Sequence, residues 1–185
     1  MNTQSGTDLG TLLLGHARHA IARHLGVDGA AAPADAPELD AKAATFVSLY
    51  RDGRLRGCMG SVRPQRRLGD DVTSNAVAAA SRDPRFDPLT AAEFGDVRLE
   101  VSLLSEPRFV DFDDEADLLA RLQPGVEGVL LFSGCRHATF LPQVWEQLPE
   151  PAMFFAALKR KAGLAADRPA PNLMVATYSV QRWKE

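Results

Sequence analysis

Chemistry in this chain could be done by a cysteine framed by glycines, in the run Leu55-Arg56-Gly57-Cys58-Met59-Gly60. A thiol is a nucleophile only as thiolate, and its ordinary pKa of about 8.5 falls beside cations and inward-pointing N–H groups. Arg56, two positions earlier, offers such a cation. Its guanidinium could equally hold a phosphate or carboxylate through two parallel hydrogen bonds. Gly57 and Gly60 carry no side chain, which weakens a strand and leaves its backbone open to something that approaches closely. The same residues also suit plain packing, because free cysteines are among the most buried residue types. Three readings of Cys58 stand side by side: reacting group, ligand contact and core thiol.

A second group of candidates is Asp83, Arg85 and Phe86, where a charged pair could either brace a neighbouring hairpin or touch a ligand. Arginines also cluster at 51, 54, 56, 63, 66 and 67, opposed within that stretch only by Asp52. They could supply donors to a small anionic ligand or phosphate, although many surface arginines are simply solvated. His16, His19 and His24 sit together near the N-terminus, but His16 and His24 are about two helical turns apart and no HExxH pattern exists. Cys135 and His137 offer two ligand types in one turn, which is not a zinc site. The sequence predicts no metal centre and no cofactor.

Elements must position these residues. Leu9, Leu12, Leu13, Ala17, Ala20, Ile21 and Leu25 recur at helical spacing, with Gly26 placed to end the helix in a left-handed conformation. Residues 28–40 are rich in Ala, Pro and Asp and read as a loop. Thr45–Tyr50 and Leu55–Val62 flank Asp52-Gly53, a dipeptide suited to the positive φ angles of a type I′ hairpin turn. A two-residue turn puts Val47 opposite Cys58 and Leu49 opposite Arg56, on a mixed apolar and charged face. A second helix runs through Leu68, Val72, Ala76 and Ala80 and closes before Pro84. Thr90-Ala91-Ala92-Glu93 matches a capping box and predicts a short helix or turn. Val97, Leu99, Val101 and Leu103 alternate with Arg98, Glu100 and Ser102 as a half-buried strand. An acidic helix over 113–122 follows, then a hairpin around Ser133-Gly134. Beyond it come a helix from Ala152 ending in Lys159-Arg160-Lys161, where cations suit the dipole, and a last strand over 174–180. Helices and hairpins without βαβ alternation predict an α+β fold with a mainly antiparallel sheet and flanking helices.

The bulk properties bound what such a scaffold does. At 185 residues the chain fits a single domain, with residues 1–6 as a flexible polar tail. A formal net charge of −3 argues against sequence-independent binding of nucleic acid. Aromatics are scarce around the arginines, which counts against stacking on single strands. No apolar run of about 20 residues predicts a membrane span, and no secretion signal is evident. Two cysteines are too few for a disulfide framework, so a cytoplasmic setting with free thiols is expected.

Phe46–Val62, Asp83–Thr90 and Glu100–Leu104 resemble the AMMECR domain family, and Gly125–Val129 and Ala138–Val144 continue the resemblance in order. In prokaryotes this family corresponds to protein A of the AmmeMemoRadiSam system. The resemblance spans nearly the whole chain. It implies two lobes with a cleft between them lined by the Arg-Gly-Cys segment, and partnership with Memo-type and radical-SAM proteins. It names no reaction. Met59 stands where the family usually has isoleucine, a swap of similar volume. From Trp145 to Pro151 the spacing departs from the family's. Two functions follow as expectations: an enzyme or enzyme subunit using Cys58 in a modification pathway, or a non-catalytic module recognising a protein segment, phosphate or RNA.

Overall fold

The computed structural model describes residues 8–28 and 31–185. The tail expected over residues 1–6 lies outside the described residues, as do 29 and 30 of the expected loop. In chain order the elements are α1 (Leu9–Leu25), β1 (Lys42–Arg51), β2 (Arg54–Gly60), β3 (Arg66–Arg67), α2 (Leu68–Ser81), β4 (Val97–Leu104), β5 (Arg108–Phe109), α3 (Glu115–Arg121), β6 (Gly128–Ser133), β7 (Arg136–Phe140), α4 (Pro151–Lys161), β8 (Leu173–Tyr178) and β9 (Val180–Lys184). They form an α+β fold of two compact units, Met1–Leu104 with Gln181–Glu185 and Ser105–Val180. Among the described residues no helix is long and apolar enough to cross a membrane.

In the first unit the sheet order is β2-β1-β4-β9, with β3 paired to the start of β1. Val47 and Leu49 of β1 and Leu99 and Val101 of β4 point to one face and are at most 1% exposed. Leu13, Ala17 and Ile21 of α1 and Val72 and Ala76 of α2 cover that face. Burying each Val, Leu or Ile contributes about 1.5–3 kcal/mol, so this layer holds the unit together. Gly26 closes α1 at φ 67°, and Asp52 and Gly53 take φ 51° and 73°, the turn geometry expected of Asp-Gly.

Several expectations need correction here. The hairpin register shifts between Leu49 and Tyr50, so Tyr50 pairs Leu55 while Leu49 pairs Gly57 and Ser48 pairs Cys58. Arg56 is the extra residue of a β-bulge. A one-residue slip exchanges the two faces of a strand, so Cys58 lies opposite Ser48 rather than Val47. Part of the expected loop, Pro37–Asp40, winds into a 3-10 turn with proline at its start. The capping box forms in half: the Thr90 amide donates to Glu93 Oε2 at 3.0 Å, but the Thr90 hydroxyl donates to the same oxygen and the Glu93 amide bonds the Thr90 carbonyl, opening only a turn and a 3-10 segment, Phe94–Asp96. The half-buried strand is buried on both faces in its middle, with Glu100 and Ser102 each 2% exposed. The last strand is two, β8 in one sheet and β9 in the other.

The second unit has the sheet order β5-β8-β6-β7, all pairs antiparallel. Its core gathers Leu118 of α3, Leu131 of β6, Val175 of β8 and Phe154, Phe155 and Leu158 of α4, with Trp145 stacked on Phe154 at 3.6 Å between ring centres. Gly128 faces Tyr178 across β6 and β8, where the phenol ring fills the space a side chain would need. Lys159, one of the three cations at the end of α4, is 1% exposed and donates to both oxygens of Glu115 at 2.8 and 2.9 Å.

Candidate functional site

The face of the first sheet opposite its helices is mixed, with Phe46 and Leu104 toward one end and polar side chains in its middle. Ser48 of β1 pairs with Cys58 of β2 on one side and with Glu100 of β4 on the other. Directly paired residues point the same way, so the three side chains form a row across three strands. Tyr50, two residues beyond Ser48, lies on the same face. The Ser48 hydroxyl donates to Cys58 Sγ at 3.3 Å, and the Cys58 amide donates to Asp83 Oδ2 at 2.8 Å. Cys58 is thus held at its sulfur and at its backbone, and it is half-buried. Lys184 of β9 donates to Glu100 Oε2 at 2.9 Å. Glu100 Oε1 is buried and takes no hydrogen bond from any described residue.

Electrostatics at the thiol run opposite to the expectation. Burial raises its pKa and outweighs the lowering by the Ser48 hydroxyl and the Arg85 guanidinium, with the Asp83 and Glu100 carboxylates adding the smallest raises. The thiol therefore rests protonated at neutral pH. Burial likewise raises the Tyr50 phenol, with Glu100 adding to it and Lys184 opposing. The nearby guanidinium that matters is that of Arg85, not Arg56.

Asp83, Arg85 and Phe86 come together beside Cys58. Arg85 clasps Asp83 through Nε at 2.9 Å and Nη2 at 2.7 Å, and its guanidinium lies 5.4 Å from the Phe86 ring centre. With the Arg85 hydrogen bond as the main cause, the Asp83 carboxyl is held down at about 2. Asp83 braces the Cys58 backbone and Arg85 holds Asp83. Arg56 is occupied elsewhere: Nε and Nη2 both donate to Glu93 at 3.1 Å and Nη1 donates to the Asp87 carbonyl at 2.9 Å. That clamp brings the Glu93 carboxyl to about 2, Arg56 being the first cause and the Thr90 amide the next. Other arginines of the cluster find carboxylates from outside their stretch, Arg51 with Glu93 and Asp96, Arg67 with Asp40.

The two glycines serve the fold. A Cβ on Gly57 would lie 2.2 Å from the Ala79 carbonyl oxygen of α2, and one on Gly60 2.2 Å from the Phe46 ring. What approaches the backbone closely is the protein itself. His16, His19 and His24 line a groove of about 340 Å³ between α1 and α2 with Arg23, Thr73 and Val77, away from the thiol row. Cys135 is exposed in the β6–β7 turn, with His137 exposed at its exit.

Sequence reasoning missed Ser48, Tyr50, Glu100 and Lys184 as companions of Cys58. Alternation along β4 put Glu100 on the face away from the core, but nothing local signals that this face is covered. Also missed is a buried network around Asp71 of α2, which accepts from the Thr45 amide and hydroxyl and the Ser61 hydroxyl, each at 2.8 Å, and from Asn75 at 2.9 Å.

The depressed carboxyls imply a pH dependence. A carboxyl with a lower pKa folded than unfolded adds stability that is complete above its unfolded value near 4 and lost as pH falls toward the folded one. Stability should therefore decline from about pH 5 to about 2 as Asp83 and Glu93 take up protons. Urea midpoints measured over this range should flatten in Asp83→Asn and Glu93→Gln. An unchanged slope in both variants would refute the assignment.

The comparisons agree with this architecture. A protein of Methanothermobacter thermautotrophicus is 35% identical over 163 residues, covering 86% of this chain and 85% of its own length. Protein SSO0193 of Saccharolobus solfataricus is 34% identical over 167 residues, covering 86% of this chain and 74% of its own. The crystal structure of the uncharacterized protein PH0010 from Pyrococcus horikoshii matches with a TM-score of 0.84 at 28% identity, over 95% of this chain and 91% of that one. A family model described as AMMECR1 matches residues 14–183, and the chain belongs to the AMMECR1 family.

Proposed function

We propose that this chain is an enzyme, or one subunit of an enzyme, in which the Cys58 thiol is the reacting group. One observation carries the reading: the thiol is anchored at its sulfur by Ser48 and at its amide by Asp83, within a row of polar and ionisable side chains. A packing cysteine behaves as a small hydrophobe among aliphatic neighbours, whereas a reacting group needs a fixed position held by its surroundings. Protonated at rest, the thiol serves as a proton donor, or as a nucleophile once a ligand or base removes its proton. The family resemblance supports a setting in the cytoplasm with Memo-type and radical-SAM partners, in the modification of an RNA, a protein or a metabolite.

The raised thiol pKa favours a second reading, a binding module in which Cys58 only contacts its ligand. One measurement tests the resting state both readings share, and a second separates them. Iodoacetamide should modify native Cys58 more slowly than the unfolded chain at neutral pH, with a rate midpoint above that of the unfolded chain; a midpoint at or below it would refute the protonated resting state. Incubation with a cell extract should then leave a covalent mass on Cys58, read by intact-mass spectrometry and absent from Cys58→Ser. No adduct, with partner binding intact in Cys58→Ser, selects the binding module.

A further inference from the structure

The arginines nearest Cys58 are committed to carboxylates. Arg85 is bidentate with Asp83, and Arg56 is bidentate with Glu93. The charged group left incompletely satisfied on this face is an anion. Glu100 is 2% exposed, its Oε2 is bonded to Lys184, and its Oε1 takes no hydrogen bond from the described residues. Leaving a buried acceptor unpaired is costly, and more so when it is charged. Lys184 offsets the charge only in part, since its side chain is 66% exposed and water screens it. Glu100, which carries this buried unpaired oxygen, stands in the same cross-strand row as Cys58, with Ser48 between them.

We infer that the molecule handled at this site presents a cationic nitrogen donor, an ammonium or guanidinium, to Glu100 Oε1 while its reacting part lies at Cys58. The inference rests on the reading of Cys58 as the reacting group and adds the charge of its substrate. Charge-assisted N–H···O bonds to a carboxylate are roughly twice as strong as neutral ones, which is why a cation suits this oxygen better than an amide or a hydroxyl. Neighbouring strands stand about 4.8 Å apart, so two strand spacings separate the backbones at Cys58 and Glu100 by roughly 10 Å. The cationic group and the reacting atom are thus different parts of one molecule, joined by a few bonds.

Matched electrophiles test this in a Cys135→Ser background, which leaves Cys58 as the single thiol. The probes are N-(2-aminoethyl)chloroacetamide, its uncharged N-propyl twin and a carboxylate-bearing twin; in each, the sulfur–carbon bond forms as chloride leaves. Cys58 should react at least tenfold faster with the ammonium probe than with the propyl twin, and slowest with the carboxylate. The ratio should fall toward one in Glu100→Gln. Equal rates for the three probes in the otherwise unchanged protein, or a ratio that Glu100→Gln leaves intact, would overturn the inference. Unreactive N-(2-aminoethyl)acetamide supplies a second readout, shifting the backbone amide signals of Ser48 and Glu100 in NMR titration. Absence of that shift also counts against a cation site. A shift without any alkylation of Cys58 would keep the cation site and discard the reacting thiol; alkylation without charge preference would do the reverse.

Discussion

Gly57→Ala is expected to lower the stability of the first unit by about 3 kcal/mol or more, at the upper end of what overpacking costs. The added Cβ would meet the Ala79 carbonyl oxygen at 2.2 Å and its carbon at 3.2 Å. Both atoms are helix backbone, which no rotamer change can move aside. Strand β2 would have to lift away from α2, opening the packing around Leu49 and displacing Cys58 next to it. Gly60→Ala makes an informative control. Its 2.2 Å conflict is with the ring of Phe46, a half-buried side chain that can turn away, so the loss should be nearer 1 kcal/mol. Urea midpoints followed by hydrogen exchange in β1 and α2 would read both. A Gly57→Ala protein within about 0.5 kcal/mol of the parent, the range of ordinary surface changes, would mean the helix does not press on that glycine.

Glu115→Ala should cost the second unit about 3–5 kcal/mol, the range for removing one partner of a buried ion pair. Lys159 is 1% exposed on its side chain and gives its ammonium hydrogens to Glu115 Oε1, Glu115 Oε2 and the Arg168 carbonyl. Without Glu115 a full positive charge stays buried on one carbonyl, 5.7 Å from the Phe155 ring centre. The reverse deletion is milder. Glu115 is 31% exposed on its side chain, so in Lys159→Met it can turn to water while the methionine fills the lysine's apolar path. The ordering is the test: hydrogen exchange across α3, α4 and β8 should loosen far more in Glu115→Ala than in Lys159→Met. Equal losses would show that packing of the lysine stem, and not its charge, holds α3 to α4. Exchange suits the question better than one melting curve, because the chain has two compact units and its unfolding need not be two-state.

Much of the fold was legible locally because the forces that make it are local. The apolar spacing from Leu9 to Leu25 with Gly26 after it marks α1 and its end, and Asp52-Gly53 supplies the two positive φ angles of the hairpin turn. The alternation from Val97 to Leu103 marks β4. Motifs in order along the chain are enough for family membership. Register was less legible. A bulge at Arg56 depends on how β2 packs against α2, and its one-residue shift trades Val47 for Ser48 opposite the thiol. The candidate site was legible in half: Cys58 and the Asp83–Arg85 pair stand out by type, whereas Glu100 and Lys184 join them only through strands distant in sequence.

What the amino-acid sequence determines by itself is the set of helices, strands and turns, the α+β class and the place of the one thiol set between glycines. Those follow from backbone propensity, hydrophobic period and turn chemistry, each acting over a few residues. Which charges neutralise which, and which group is left unsatisfied, only tertiary structure decides. Ion pairing depends on separation in space: Arg56 meets Glu93 37 residues away, and Lys159 meets Glu115 across 44. The same folding that occupies the arginines buries Glu100 with one oxygen unpaired.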